Sequence, residues 1–189
     1  VRIEFRAETR IEGDGCFVRS EETDGAWSVN ADLSLSGLDP ASGMTVVYAL
    51  RDPNGAVVAS GTAPACERIA LALPVSDPML WSPESPMLYA FSCELKSGAE
   101  TIDSFSASVG LRTVEWIPNE GMYLNGKPYR IKGICCHQDH GGVGAAVTPA
   151  IMEYRIRRLK ALGVNAYRCA HHAVPGELLA ICDRLGMLV

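Results

Sequence analysis

The sequence has no apolar run long enough to cross a membrane and no segment rich in lysine or arginine. A membrane-spanning helix needs roughly eighteen or more consecutive apolar residues, and the apolar stretches here are much shorter. The net charge is −5, and aromatic residues make up only 7% of the chain. Surfaces that bind nucleic acids are basic and commonly carry stacking aromatics. We therefore expect neither a membrane nor a nucleic acid among the partners of this protein.

The sequence also lacks the regular cysteine spacing of a disulfide framework. Its seven cysteines are scattered through apolar positions: Cys16, Cys66, Cys93, Cys135, Cys136, Cys169 and Cys182. This pattern predicts buried free thiols in a reducing compartment. We therefore expect a cytoplasmic protein, with a periplasmic or secreted location left open because a leader before Val1 could have been removed.

One short stretch contains residue types that bind zinc, namely Cys135, Cys136, His137 and His140. Adjacent residues on a strand point to opposite faces, so the two cysteines are poorly placed to bind one ion. No second Cys-x-x-Cys pair completes a set of four ligands. We expect neither a metal nor another cofactor.

Residues 1–113 carry the period-two alternation of strands with one buried face. From Trp27 to Leu35 every second residue is apolar and the residues between are polar. Similar patterns recur at 46–50, 57–59, 69–73, 89–95 and 102–109. The sequence Asp52-Pro53-Asn54-Gly55 predicts a hairpin turn, with Asn-Gly supplying positive φ. About seven strands at this spacing predict an antiparallel, immunoglobulin-like β-sandwich.

After a predicted linker at 113–121, the hydrophobic period changes to that of alternating strands and helices. We predict strands at 131–136, 164–168 and 187–189, and helices at 149–162 and 176–185. Such alternation implies parallel strands joined by right-handed crossovers, which is a partial α/β segment. The third strand has no helix after it to cover it, so we expect the chain to be a fragment.

The first predicted helix has Thr148 as a candidate cap and Pro149 at its first position. Its apolar stripe is formed by Met152, Ile156 and Leu159. We expect its basic residues to form a solvent-exposed face: Arg155, Arg157, Arg158 and Lys160.

Three candidate functional residues follow predicted strands: His137, Arg168 and His171. The carboxyl ends of neighbouring parallel strands meet at one edge, where α/β folds place their ligands. We therefore expect these side chains to converge. The alternatives are that each histidine is an ordinary loop residue and that Arg168 is a structural ion-pair residue; His140 and His172 are weaker candidates.

Several motifs in this chain resemble those of glycoside hydrolase family 2, the group of β-galactosidases, β-glucuronidases and β-mannosidases. The motifs are Leu80–Tyr89, Val109–Arg112, Leu124–Pro128, Lys132-Gly133 with His137, Asn165-x-Tyr167-Arg168-Cys169-Ala170-His171, and Asp183-x-x-Gly186. The chain departs from the family pattern at His172 and Ala173, where the family usually has Tyr-Pro.

The resemblance implies a sandwich domain at 1–113 followed, at 121–189, by the first βα units of a (β/α)8 TIM barrel. It implies that His137 and His171 donate hydrogen bonds to sugar hydroxyls. Arg168 would pair with a catalytic carboxylate and keep it ionised, and Asp139 would accept a hydrogen bond from a hydroxyl. The parent protein would be a homo-oligomeric retaining β-glycosidase that binds a β-galactoside or a β-glucuronide, first of all a β-galactosidase, with β-glucuronidase and β-mannosidase activities left open.

Retaining hydrolysis requires two carboxyl groups about 5–5.5 Å apart. In the family both are glutamates on later strands, beyond Val189, so the resemblance implies that this chain holds no catalytic residue and is inactive alone. The glutamates that this chain has near the region do not follow predicted strands. Glu115 and Glu120 lie in the predicted linker, Glu153 lies on the exterior of the first helix, and Glu177 begins the second helix. The alternative function is a stand-alone sandwich module that binds carbohydrate or protein through an exposed aromatic platform. The scattered Trp27, Trp81 and Trp116, with Trp27 expected in the core, argue against it.

Overall fold

The computed structural model describes residue 3, residues 5–39 and residues 43–189. The chain divides into two units, the first comprising Val1–Met79 and Leu88–Leu111, the second Leu80–Met87 and Arg112–Val189. Among the described residues, no helix combines the length and the apolar character needed to span a membrane.

The first unit contains two antiparallel sheets. Its strands are β1 (Arg10–Ile11), β2 (Phe17–Thr23), β3 (Ala26–Ser36), β4 (Thr45–Arg51), β5 (Val57–Pro64), β6 (Arg68–Val75), β7 (Tyr89–Ser97) and β8 (Glu100–Val109). In one sheet β3 pairs with β6 on one edge and with β1 and β2 on the other. The second sheet has the order β5-β4-β7-β8. The architecture is the predicted β-sandwich.

The strict alternation of buried and more exposed side chains along the strands shows which residues form the core of the first unit. Val29, Ala31, Leu33 and Leu35 of β3 are buried, and the side chains between them are not. In β6 and β7 every second residue is likewise buried. Trp27 was expected in this core but is only half-buried, because it lies near the start of β3. β2 was not predicted, because its exposed and half-buried residues do not alternate.

The β4–β5 hairpin turns at the predicted tetrapeptide. The carboxylate of Asp52 accepts hydrogen bonds from the backbone N–H groups of Asn54 and Ala56, both at 2.9 Å. Of the Asn-Gly pair only Gly55 takes a positive φ, at 88°. The turn therefore depends on the glycine and on the aspartate side chain.

The second unit begins with a small antiparallel sheet of β9 (Val114–Ile117), β10 (Gly121–Leu124) and β11 (Lys127–Pro128). This sheet corrects the prediction of a linker at 113–121. Polar and turn-forming residues at 118–121 suggested a linker, but they form only the turn between β9 and β10. Met122 and Leu124 of β10 are buried.

The predicted α/β segment follows, with slightly shorter strands. It consists of β12 (Gly133–Cys136), α1 (Pro149–Ala161), β13 (Ala166–Cys169) and α2 (Gly176–Leu185). β12 and β13 are parallel, and Leu188 adds a parallel bridge to Ala166. Thr148 caps α1 by accepting a hydrogen bond from the N–H of Ile151 at 3.5 Å, and Pro149 is its first residue. The two βα units of the prediction are confirmed.

The helices cover one face of the β12–β13 pair. Tyr167 is buried there, and the cluster around it is formed by Ile156, Leu178, Ile181, Cys182 and Met187. The segment 80–87 also packs in this unit, where Trp81 is 1% exposed and its Nε1 donates to the carbonyl oxygen of Asp183 at 2.8 Å. The guanidinium of Arg112 lies over the Trp81 ring, 4.4 Å from its centroid.

Candidate functional site

His137 and His171 lie together at the carboxyl ends of the two parallel strands. Their ring centroids are 5.7 Å apart, and the rings meet edge to face at 83°. His137 directly follows β12, and His171 follows β13 by two residues. The N–H of Ala170 donates to the carbonyl oxygen of Cys136 at 3.0 Å, which holds the two strand ends side by side. The parallel register is thus the reason that the two rings meet.

The two histidines line an open cleft of about 320 Å³, whose other walls are Gln138, Asp139, Ala170 and His172. His137, Asp139 and His171 are exposed, and His172 is half-buried. Imidazole nitrogens, a carboxylate and an amide offer both donors and acceptors of hydrogen bonds. The cleft can therefore bind a ligand rich in hydroxyl groups.

Arg168 does not join this cleft. It was predicted at the end of a strand, but β13 continues to Cys169, so Arg168 lies within the strand. Its Nη1 approaches Cys135 Sγ at 3.7 Å. Both residues line a separate cavity of about 620 Å³ with apolar walls that include Ile131 and Leu188. Successive side chains of a strand point to opposite faces of the sheet, so Arg168 lies on the face opposite Tyr167. The two histidines lie in the loops that follow the strands.

The carboxylates of the second unit differ in their surroundings. Arg184 and Arg157 bind Glu153 at 2.7 Å and 2.6 Å and lower its pKa, Arg184 having the larger effect. Glu177, in the first turn of α2, lies in the wall of another cavity. Among the described residues, Asp139 is the acidic residue that lines the histidine cleft. No group of three or more histidine, cysteine or acidic side chains in the described part of the chain is arranged to hold a metal ion.

Two basic residues of α1 are not on the solvent-exposed face predicted for them. Arg155 donates to the carbonyl oxygens of His137 and Asp139. Lys160 donates to those of Pro83 and Gly186 at 2.8 Å and 2.7 Å, and burial lowers its pKa. The prediction for these two residues is wrong, because they border the apolar stripe of the helix. At 3.6 residues per turn, Arg155 and Lys160 are each rotated about 70° from the centre of the apolar stripe, whereas Arg157 and Arg158 are rotated about 130° from it.

A further cavity of about 470 Å³ lies between the loops and the two helices, and its walls include Met152, Arg155, Leu178, His172 and Ala173. His172 lines this cavity and the histidine cleft. The two positions at which the chain departs from the family pattern therefore lie beside the candidate site.

Comparison with known proteins identifies the relatives of this chain. Residues 9–112 match the family model of glycosyl hydrolases family 2, and residues 116–189 match the model of that family's TIM barrel domain. A putative β-glucuronidase from Formosa agariphila is 34% identical, with 89% of this chain and 16% of that protein covered. A β-galactosidase from Bacteroides ovatus is 33% identical, with 95% of this chain and 22% of that protein covered.

The fold agrees with these matches. The crystal structure of a glycosyl hydrolase family 2 member from Bacteroides cellulosilyticus superimposes with a TM-score of 0.87 at 32% identity, covering 97% of this chain and 25% of that one. The chain spans about a fifth of the length of the two curated relatives. With the sandwich and the start of the barrel domain both matched, this chain belongs to glycosyl hydrolase family 2.

Proposed function

We propose that this chain is part of a retaining β-glycosidase that cleaves β-galactosides, and that His137, Asp139 and His171 bind the sugar. The observation that carries the proposal is the edge-to-face histidine pair beside an aspartate at the carboxyl ends of β12 and β13. In TIM-barrel enzymes this end of the strands holds the active site. The sequence identity of 33% to a β-galactosidase, over 95% of this chain, supports the substrate class.

The residues of the cleft suit the recognition of a sugar. Each imidazole can donate one hydrogen bond to a hydroxyl, and the carboxylate of Asp139 can accept one. Arg168 has a different role in the proposal. Its guanidinium would face the barrel interior and pair with a catalytic carboxylate, and a nearby cation favours the charged form of such a group.

The acid/base and the nucleophile are proposed to come from residues outside this chain. A retaining enzyme needs both within about 5–5.5 Å of each other. In the chain itself only Asp139 contributes a carboxyl group to the described cleft, and Glu153 is already bound by two arginines. The proposal therefore requires that the chain alone does not hydrolyse nitrophenyl β-galactoside, β-glucuronide or β-mannoside. Turnover above a buffer blank that His137→Ala abolishes would refute this assignment.

Kinetics of the full-length protein test the role of the pocket. We expect hydrolysis of nitrophenyl β-galactoside with retention of the anomeric configuration. His171→Ala and Arg168→Ala should each lower kcat/KM by about tenfold or more, since tenfold corresponds to about 1.4 kcal/mol of transition-state stabilisation. Arg158→Ala, at an exposed arginine of α1, is the matched control and should keep wild-type kinetics. Normal kinetics in both pocket variants would show that the pocket is assigned wrongly.

A β-glucuronidase is the second candidate, because the relative from Formosa agariphila is a putative β-glucuronidase at 34% identity. The ratio of kcat/KM for nitrophenyl β-glucuronide and β-galactoside decides between the two. A binding module without catalysis has less support. Trp27 is half-buried and Trp81 buried, while the exposed Trp116 lies on β9 of the second unit, so the three tryptophans form no platform on the sandwich.

A further inference from the structure

The side chain of Arg155 holds the loop that carries two of the proposed sugar-binding residues. Its Nη1 donates to the carbonyl oxygen of His137 at 3.1 Å, and its Nη2 donates to that of Asp139 at 2.5 Å. These carbonyls lie on either side of Gln138. A single side chain therefore binds both ends of the tripeptide that forms one wall of the cleft.

Two further contacts connect the same guanidinium to its surroundings. Nη2 lies 3.3 Å from Nδ1 of His140, and Nη1 lies 3.5 Å from the hydroxyl of Tyr167. Tyr167 is 3% exposed and is part of β13, the strand that leads to His171. Arg155 thus links the loop after β12 to the strand that positions the second histidine.

The chemistry of arginine suits this arrangement. Its planar fork is pre-organised, so it can bind two carbonyl oxygens at once with little further loss of side-chain freedom. Hydrogen bonds from a charged donor are also stronger than neutral ones. The lysine side chain carries a single ammonium group on a flexible stem and reproduces only part of this geometry.

Arg155 also lies in the wall of the cavity of about 470 Å³, where a free guanidinium could attract an anion. Both of its terminal nitrogens are already engaged by the loop and by Tyr167. The contacts therefore favour a role in holding the loop over one in binding a ligand.

We propose that Arg155 is a positioning residue of the sugar pocket, which keeps His137 and Asp139 turned toward His171. The inference rests on the proposed function, because it concerns the same pocket. It adds a residue that touches no substrate and acts through the backbone of the 137–140 loop.

The test measures binding of a glycoside by the full-length protein in a calorimeter. The probe is the non-hydrolysable thioglycoside of the sugar that the wild-type protein cleaves, either isopropyl β-thiogalactoside or phenyl β-thioglucuronide. The variants are Arg155→Gln, Arg155→Lys and the control Arg158→Gln. Arg158 is an exposed arginine of the same helix whose side chain makes no hydrogen bond within the described residues.

We expect Arg155→Gln to raise the Kd by about tenfold or more, because small misplacements of a binding group have large effects. Arg155→Lys should give an intermediate Kd, and Arg158→Gln should leave it unchanged. The stoichiometry separates positioning from folding, since loss of folded protein lowers the number of sites without changing their Kd. The Lys variant keeps the test decisive if the Gln variant does not fold.

Hydrogen exchange of the amides at 137–140 gives a second measure, and it should become faster in Arg155→Gln. An unchanged Kd in both Arg155 variants would overturn the inference and leave the proposed function intact. Failure of the wild-type protein to cleave or bind any of these glycosides would overturn the proposed function and the inference together.

Discussion

Four of the seven cysteines lie at the two extremes of burial, which give their thiols different chemistry. Cys93 and Cys182 are buried, and desolvation raises the pKa of each thiol to about 12. Cys66 and Cys135 are exposed. The prediction of buried thiols therefore holds for the first pair and is wrong for the second, and the other three cysteines are only half-buried: Cys16, Cys136 and Cys169. The reactive form of cysteine is the thiolate, so burial should control labelling.

Thiol labelling of the native protein tests this division. At about pH 8, Cys66 should react with a disulfide reagent within minutes, because it is accessible to solvent. Cys93 and Cys182 should stay unmodified until denaturant is added, since a thiol with a pKa about 12 is almost fully protonated at this pH. Mass spectrometry of peptides gives the rate at each position. Labelling of Cys182 as fast as that of Cys66 in the native protein would contradict the burial of Cys182.

The carboxyl group of Asp183 has a pKa that burial raises, an effect that Arg112 partly offsets. A raised pKa means that the folded state favours the protonated form. The protonated carboxyl therefore stabilises the fold in full at pH values below the pKa that Asp183 has in the unfolded chain. This stabilisation is lost as the pH rises through the pKa that Asp183 has in the folded protein. At neutral pH the charged Asp183 therefore destabilises the fold.

Replacing this carboxyl group should accordingly stabilise the protein. We expect Asp183→Asn to raise the thermal midpoint at about pH 7, and the gain should shrink in acid, as the pH falls through the raised pKa of the wild-type carboxyl and the group takes up a proton. Asp77→Asn, at an exposed aspartate, is the control and should have little effect at either pH. A lower midpoint for Asp183→Asn at neutral pH would show that the charge is needed.

At the scale of the elements, α2 ends at a glycine, Gly186, that has no space for a side chain. Gly186 has a φ of 75°, and a Cβ added there would overlap the carbonyl group of Pro83. Gly163, just after α1, has a similar φ of 82°, but a Cβ would meet nothing within 4 Å. The two glycines share the backbone conformation and differ in the space around it.

Alanine at the two positions separates backbone strain from overlap. Gly163→Ala should cost about 1–2 kcal/mol, the penalty of the left-handed conformation. Gly186→Ala should cost about 2–5 kcal/mol, because overpacking adds to the same strain. Native-state hydrogen exchange of the amides in α1 and α2 measures these local free energies. Equal losses at the two sites would show that the segment around Pro83 yields to the added methyl group.

At the scale of the whole molecule, the second unit leaves one face of its parallel strands uncovered. Within the described part of the chain, β12 and β13 form a two-stranded sheet. The exposed apolar residues around it are Val114, Trp116, Ile131, Ile134 and Val189. Open strand edges also predict exposure of Val164 and Met187, but Val164 is half-buried and Met187 is buried, and both pack against the helices.

This face predicts that the α/β segment of the isolated chain does not persist as a monomer. Open strand edges and large apolar patches both favour association. We expect sedimentation of dilute protein to show a dimer or larger species, or hydrogen exchange to show a segment beyond the sandwich that opens freely. A compact monomer with protected amides throughout 164–189 would contradict the prediction.

The sequence by itself determined those features that arise from local periodicity and chirality. Alternation in Trp27–Leu35 predicted a sandwich strand, and the βα pattern predicted two parallel strands with their helices. Because parallel strands end at the same edge, the meeting of His137 and His171 also followed from the pattern.

Only the tertiary structure decided which residues join that edge. It placed Arg168 in a different cavity and brought Arg155 to the carbonyl oxygens of His137 and Asp139, 18 and 16 residues earlier in the chain. It also formed the β9–β10 hairpin in place of a linker and brought Trp81 to Asp183, 102 residues away. Such contacts depend on side-chain reach and on the packing of distant segments, and hydrophobic periodicity, which describes one element at a time, carries no information about either.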